Sequence, residues 1–222
     1  MIRIPEKDIE EDFSAIFQRM VANIPEIHRT LDLKQAIIKE FGEQKYEEIL
    51  DIGCGPGTLD FALSKAFDCR VLGLDGSTTN IQVARIVRNI LNYEKNAFHI
   101  FKLPGDIGRP FDLIVSRGVL HHLENPLDMW RFIKSIKPKN RKDVFIMDFL
   151  RPDTTEEIDR LTEQRFKDGG ENIEFYIEKF RASLFSAYTL DEISEQLKKA
   201  DLKLELTQTA DRYHFYACGS LK

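Results

Sequence analysis

Cysteine is scarce in this chain. Cys54, Cys69 and Cys218 are odd in number, scattered, and without metal-ligand spacing. A disulfide framework and a cysteine-built metal centre are thereby excluded, and the thiols are read as reduced. Long apolar runs are also missing: no stretch approaches the roughly 18 residues of a membrane span. The charged segment Met1 to Asp12 has no apolar signal region. Excess basic charge is absent too. Lys and Arg number 32 against 37 Asp and Glu, a formal net charge of −5, so the chain as a whole does not supply the phosphate neutralisation that non-specific nucleic-acid binding relies on. Repeats and low-complexity segments are lacking. These absences set the expectation of a soluble cytoplasmic protein with neither membrane nor nucleic acid among its partners. Oligomeric state has no signature here.

What is present fits one domain of 222 residues, 42% hydrophobic and 31% charged. Apolar positions Ile9, Phe13, Ile16, Phe17 and Met20 predict a first helix over 8–22, ended by Pro25. A second amphipathic helix is predicted over 27–41, with Gly42 as its C-cap. Strand and helix patterns then alternate: strands at 47–52, 70–75, 97–101, 111–116 and 143–149, helices at 58–67, 77–92 and 125–137. Alternation of this kind implies a parallel sheet covered on both faces. After Pro152 two consecutive helices (153–167, 172–186) form an insertion too short for a domain, read as a cap over the site. A helix at 189–200 and strands at 202–207 and 212–218 finish the chain. The reading divides it into an N-terminal helical lid (1–43), a ligand-binding core (44–150), the cap insertion (151–188) and a C-terminal helix with a strand pair (189–222).

The most telling run is Ile49-Leu50-Asp51-Ile52-Gly53-Cys54-Gly55-Pro56-Gly57. A buried strand, a glycine loop and a helix in that order bring a nucleotide-like ligand against bare backbone. Asp75 ends the next strand, where a carboxylate accepts hydrogen bonds from both ribose hydroxyls. A dinucleotide site wants a third glycine where Thr58 stands, and Pro56 removes a backbone N–H that a pyrophosphate would use. A phosphate-free adenosyl ligand tolerates that loss, and S-adenosylmethionine is one.

The full run Leu50 to Gly57, with Leu74-Asp75 downstream, resembles the first two motifs of class I S-adenosylmethionine-dependent methyltransferases. Phe111-Asp112-Leu113-Ile114-Val115-Ser116 is similar to that family's fourth strand, and Val119-Leu120-His121-His122-Leu123 to its small-molecule branch. The resemblance covers residues 47–150 best. It implies a Rossmann-like α/β three-layer sandwich with a mostly parallel seven-stranded sheet and an antiparallel last strand. It also implies S-adenosylmethionine as cofactor and S-adenosylhomocysteine as product. By position, Asp51, Gly53, Cys54, Gly55 and Gly57 would hold the methionine end. The cofactor ammonium would bond carbonyls near Gly53 and Ser116. Asp75 would hold the ribose, and Gly76 and Ser77 would lie along the adenine. The family often has Gly-Asp after strand three, its Asp binding the adenine amino group. Here Lys102-Leu103 stands in that place, and Gly105-Asp106 comes late. Asp106 either serves adenine through an altered loop or is a turn residue.

Methyl transfer is an in-line displacement in which the protein mainly orients the nucleophile and excludes water. Candidates for that work follow strands four and five, because ligands of open parallel sheets sit at strand C-termini. Arg117 either faces the pocket or forms a salt bridge at a helix edge. His121 either takes a proton or packs at a helix start. Arg151 either pairs with Asp148 or Asp153 or anchors a carboxylate or phosphate. Within the cap, Tyr176 and Arg181 are assigned to substrate, with Arg181 expected to pair with Glu178 or a substrate anion. Most other cap aromatics fall at core spacing. The expected acceptor is a small metabolite, anionic or aromatic, and no metal is assigned. Competing readings are a carboxy-S-adenosylmethionine synthase, suggested by Phe17-Gln18-Arg19-Met20 and Lys179-Phe180-Arg181, a non-catalytic cofactor-binding scaffold, and a nicotinamide dehydrogenase.

Overall fold

The sheet is built on strand β1 (Glu48–Ile52), whose five residues are all buried. Strands covered on both faces carry continuous apolar runs. The same holds for β2 (Arg70–Asp75) and β4 (Phe111–Arg117), buried except at their ends. The computed structural model describes residues 1–6, 11–22, 31–169 and 173–221. With β3 (Asn96–Ile100), β5 (Pro138–Phe149), β6 (Glu205–Gln208) and β7 (His214–Leu221), the sheet has seven strands in the order β3-β2-β1-β4-β5-β7-β6. Pairings from β3 to β5 are parallel, and β7 runs antiparallel to both β5 and β6. This is the architecture the sequence predicts. The strand order turns back between β1 and β4, the switch point at which such sheets bind ligands.

Side chains alternate across the sheet with period two. Leu50 and Ile52 of β1 join Leu72, Leu74, Ile114 and Ile146 on one face. There they pack on Met129, Trp130 and Ile133 of α5 (Pro126–Ser135) and on Ile193 and Leu197 of α8 (Leu190–Ala200). Ile49 joins Val71, Leu113, Val115 and Phe145 on the other, against Leu33 and Ile37 of α2 (Leu31–Phe41) and Leu59 and Leu63 of α3 (Thr58–Phe67). A third cluster places Ile16 and Met20 of α1 (Phe13–Ala22) against Cys54, Phe61 and Phe98, with Ile81, Val83 and Val87 of α4 (Thr78–Leu91).

The predicted starts of the first two helices, and Pro25 between them, lie outside the described residues. Gly42 does close α2, with a φ of 75°. Of the two helices expected to form a lid, α1 reaches the glycine loop, whereas α2 packs into the flank beneath β1. The fifth strand begins earlier than predicted, at Pro138. Its first half is the charged run Lys139 to Asp143, which reads as loop. The structure pairs Pro138 with Phe111 and resumes at Leu113 with Asp143, an irregular register that buries Lys142 against the carbonyls of Lys134 and Ile136. The insertion expected to form a cap consists of α6 (Thr155–Phe166) and α7 (Ile173–Ser186), whose Ile158, Leu161, Phe180 and Leu184 form their own small core beside Phe149. No helix among the described residues is long and apolar enough to cross a membrane.

Candidate active site

The loop after β1 turns on three left-handed glycines: Gly53 at φ 74°, Gly55 at 55° and Gly57 at 88°. Gly53 and Cys54 donate to the Leu74 carbonyl at 2.7 and 2.9 Å, tying the loop to the end of β2. A Cβ at Gly53 would lie 2.2 Å from Val119 Cγ2, so the loop touches the segment after β4 directly. Above Gly55 there is open space, with nothing within 4 Å of the Cβ position. Asp75 stands beside that space. Its Oδ2 accepts from Gly55 N and its Oδ1 from Ser77 N, each at 2.8 Å. Oδ1 also accepts from Asn80 Nδ2 at 3.3 Å, so of the carboxylate's roughly four lone-pair sites one, on Oδ2, is left for a ribose hydroxyl. Ser77 caps α4, its hydroxyl accepting from Asn80 N. Lys102, exposed, approaches Gly76. Asp106 is an exposed turn residue that accepts from Gly108 N at 2.9 Å. Leu103 is half-buried against the main core.

Beneath the loop, Asp51 and Asp60 are both buried. Asp60 lies in the first turn of α3. Burial, Asp60 and Asp75 push the Asp51 carboxyl well above its ordinary range, while burial raises Asp60 to about 7. Cys54 lies beside them, its thiol pushed well up by burial and by these carboxylates, which keeps it protonated and unreactive.

Ser116, at the end of β4, donates to the Ile52 carbonyl at 2.7 Å and so is held against β1. Arg117, exposed, acts electrostatically on Asp51. A 3₁₀ turn, Leu120–His122, follows. There His121 is buried, its Nδ1 2.6 Å from Asp148 Oδ1. Burial alone would raise Asp148, but the contact with His121 and the backbone N–H bonds from Phe149 and His121 hold it below the ordinary carboxylate range. Residues 1–6 cross this turn as a strap. Arg3 donates to the carbonyls of Ser186, His121 and Leu123 and stacks over Tyr188. The strap brings Glu6 Oε2 to 3.3 Å from His122 Nδ1 and 3.6 Å from His121 Nε2.

Glu6 also lines a cavity of about 660 Å³ between the strap and α7. Ile4, Pro5, Ile177 and Phe185 make it apolar, and Lys179 and Arg181 reach its wall. Both cations are paired, Lys179 with Glu11 and Arg181 with Asp159 rather than with the expected Glu178. Asp159 lies on α6, and helix packing selects it over a same-helix neighbour. Arg151 is buried and bonds the Ala187 carbonyl at 2.9 Å and Glu192 at 2.7 Å, not Asp148 or Asp153. Asp148 is committed to His121, and Asp153 is exposed. Tyr176 is 38% exposed, packs edge-on against Phe175, and does not line the cavity. The structure therefore brings together the glycine loop, Asp75, Ser77, Ser116 and His121. It sets Arg151 and Tyr176 apart from the cavity.

Three residues of this region were not assigned a role from sequence: Asp60, Asp148 as the His121 partner, and Glu6. Asp60 had a readable signal, a carboxylate among the apolar positions Leu59, Phe61, Ala62 and Leu63. Glu6 had none, because the strap's path is set by tertiary contacts.

The methyltransferase-domain family pattern matches residues 19–207. Among curated proteins, phosphoethanolamine N-methyltransferase 1 of Arabidopsis thaliana is 28% identical over 131 residues, 56% of this chain and 26% of the plant protein. The mitochondrial ubiquinone biosynthesis O-methyltransferase of Dictyostelium discoideum is 31% identical over 104 residues, 40% of this chain and 32% of that protein. The matches thus span about a quarter to a third of these relatives' lengths. Among solved structures, a SAM-dependent methyltransferase from Aquifex aeolicus aligns with a TM-score of 0.65 at 17% identity, covering 96% of this chain and all of that one. A plantazolicin methyltransferase in complex with SAH aligns with a TM-score of 0.63 at 18% identity, covering 93% and 88%.

Proposed function

The chain belongs to the methyltransferase-domain family, whose members of this fold use S-adenosylmethionine, and from that membership we propose that it methylates a small apolar metabolite through a hydroxyl or amine. The observation that carries the acceptor reading is the cavity beneath the N-terminal strap. Its volume suits a small molecule. Its charged lining is three carboxylates, Glu6, Glu174 and Glu178, against two cations that are already paired. That balance supports a neutral or amine-bearing acceptor over the anionic one expected from three arginines.

The residues present fit the cofactor. The space over Gly55 is a cradle that a side chain would fill, and Asp75 stands at its edge with acceptor capacity left. Asp51 with the Gly53–Gly57 loop would hold the methionine end, and Asp75 the ribose. Gly76, Ser77, Lys102 and Leu103 would border the adenine. The bound cofactor supplies a methyl carbon already activated by its sulfonium. The chain's own work is to hold the acceptor in line and keep water out. The contact between Gly53 and Val119 joins the loop to the turn bearing His121, and Glu6 joins that turn to the cavity. We assign the acceptor's nucleophile to that polar end.

Methyl-labelled cofactor and a panel of phenols, amines and carboxylates test this. Turnover is expected for neutral or amine acceptors, with Arg151→Gln and Arg181→Gln leaving KM within about threefold, since each guanidinium already has a protein partner. Preference for acids, with KM raised in Arg181→Gln, would restore the anionic reading. Cofactor binding without product across the panel would leave the scaffold reading standing.

A further inference from the structure

We propose that Glu6, His121 and His122 bind one divalent transition-metal ion, of which zinc is the type, at the polar end of the cavity. The three ligand atoms lie within 4.8 Å of one another. Tetrahedral bonds of about 2.0–2.1 Å to nitrogen and oxygen place neighbouring ligand atoms roughly 3.3 Å apart. Glu6 Oε2 is 3.3 Å from His122 Nδ1 and 3.6 Å from His121 Nε2, already near that spacing.

A second observation is independent of that spacing. His121 Nε2 is buried and has no hydrogen-bond partner. Asp148 orients the ring so that Nε2 faces the cluster: its carboxylate binds Nδ1 at 2.6 Å and the His121 backbone N–H at 3.3 Å, which in the neutral imidazole leaves Nε2 as the ligating nitrogen. Carboxylate, histidine and metal in line is the arrangement by which proteins orient a ligating imidazole. Glu6 is steadied in turn by the Ser183 hydroxyl at 3.3 Å.

The donor set names the metal class. Two imidazoles and a carboxylate suit zinc and its neighbours, whereas calcium and magnesium want oxygen alone. Three protein ligands leave a fourth position open. If the acceptor reading of the preceding subsection holds, that position receives the acceptor's oxygen or nitrogen and polarises it. The site itself stands on the ligand geometry and not on that reading.

Calorimetric titration of zinc into the tag-free, chelator-treated full chain tests the site, with cobalt absorption reporting coordination number. One ion per chain is expected, in tetrahedral coordination. Glu6→Gln and His122→Gln should each weaken binding by about 100-fold or more, and Asp148→Asn by about 10–100-fold. Thermal melts and S-adenosylhomocysteine binding show whether each variant is folded with an intact cofactor loop, so loss of metal is read apart from loss of methyl transfer. Failure to bind zinc stoichiometrically, or equal affinity in the wild type and both ligand variants, would overturn the proposal.

Discussion

Asp51 and Asp60 are buried beneath the glycine loop, where Asp51 Oδ1 and both oxygens of Asp60 have no hydrogen-bond partner and the two carboxyls act on each other. Two carboxylates bond to each other only when one carries a proton. The pair explains how a charged residue on β1 is tolerated at a buried position: a shared proton removes half the charge.

Asp60→Asn therefore flattens the pH dependence of stability. Folding raises the Asp60 carboxyl from the usual aspartate range to about 7. Between those values the folded state holds more protons than the unfolded chain, so stability falls as pH rises through that window. The groups facing the pair are Cys54, Asp75 and Arg117, and Arg117 alone lowers Asp51. An asparagine at 60 accepts the same hydrogen bond from Asp51 through its amide oxygen without titrating. Melting temperature measured from pH 5 to 8 is expected to decline in the wild type and to decline less in the variant. Parallel curves would show that the pair does not share a proton.

Gly55 separates cofactor binding from folding. Its φ of 55° costs a side-chain-bearing residue about 1–2 kcal/mol, and an added Cβ meets nothing within 4 Å. Gly55→Ala should fold with that modest loss while its methyl fills the cradle, weakening S-adenosylhomocysteine by more than about tenfold. Gly53→Ala, whose Cβ would lie 2.2 Å from Val119, should lose stability and ligand together. Calorimetry beside thermal melts checks both. Unchanged affinity in Gly55→Ala would place the cofactor elsewhere.

The sheet and the glycine loop were legible in the sequence because local patterns dictate them. Apolar runs mark β1, β2 and β4, and alternating helical stripes mark α3 and α4. Thr189-Leu190-Asp191-Glu192 is a capping box, and both of its reciprocal bonds are made. What was not legible depends on distant pairs. Glu192 turns its other oxygen to Arg151 on a different element, so a local cap also neutralises a residue read as a substrate anchor. His121 and Asp148 are joined by the packing of β4 against β5, which no spacing along the chain records. The early start of β5 was hidden because its charged residues find partners in the fold, such as Lys142 against the carbonyls of Lys134 and Ile136.

The lid expected of the N-terminal helices narrows to α1, and Met20 is where it can be tested. Met20 is buried to 1% exposure, and its sulfur accepts from the Thr58 hydroxyl at 3.0 Å. With Ile16 it covers Cys54 and Phe61, which flank Gly55 and Gly57 in sequence. Met20→Ala empties that contact, a change that costs about 2–5 kcal/mol in a well-packed core. Because α1 lies at the margin of the sheet, the loss is expected to appear first as local opening. Amide exchange should quicken in α1 and the glycine loop and stay slow in β4 and β5, and S-adenosylhomocysteine should bind several-fold more weakly. Faster exchange in α1 with full ligand affinity would make the helix a structural flank and not a lid.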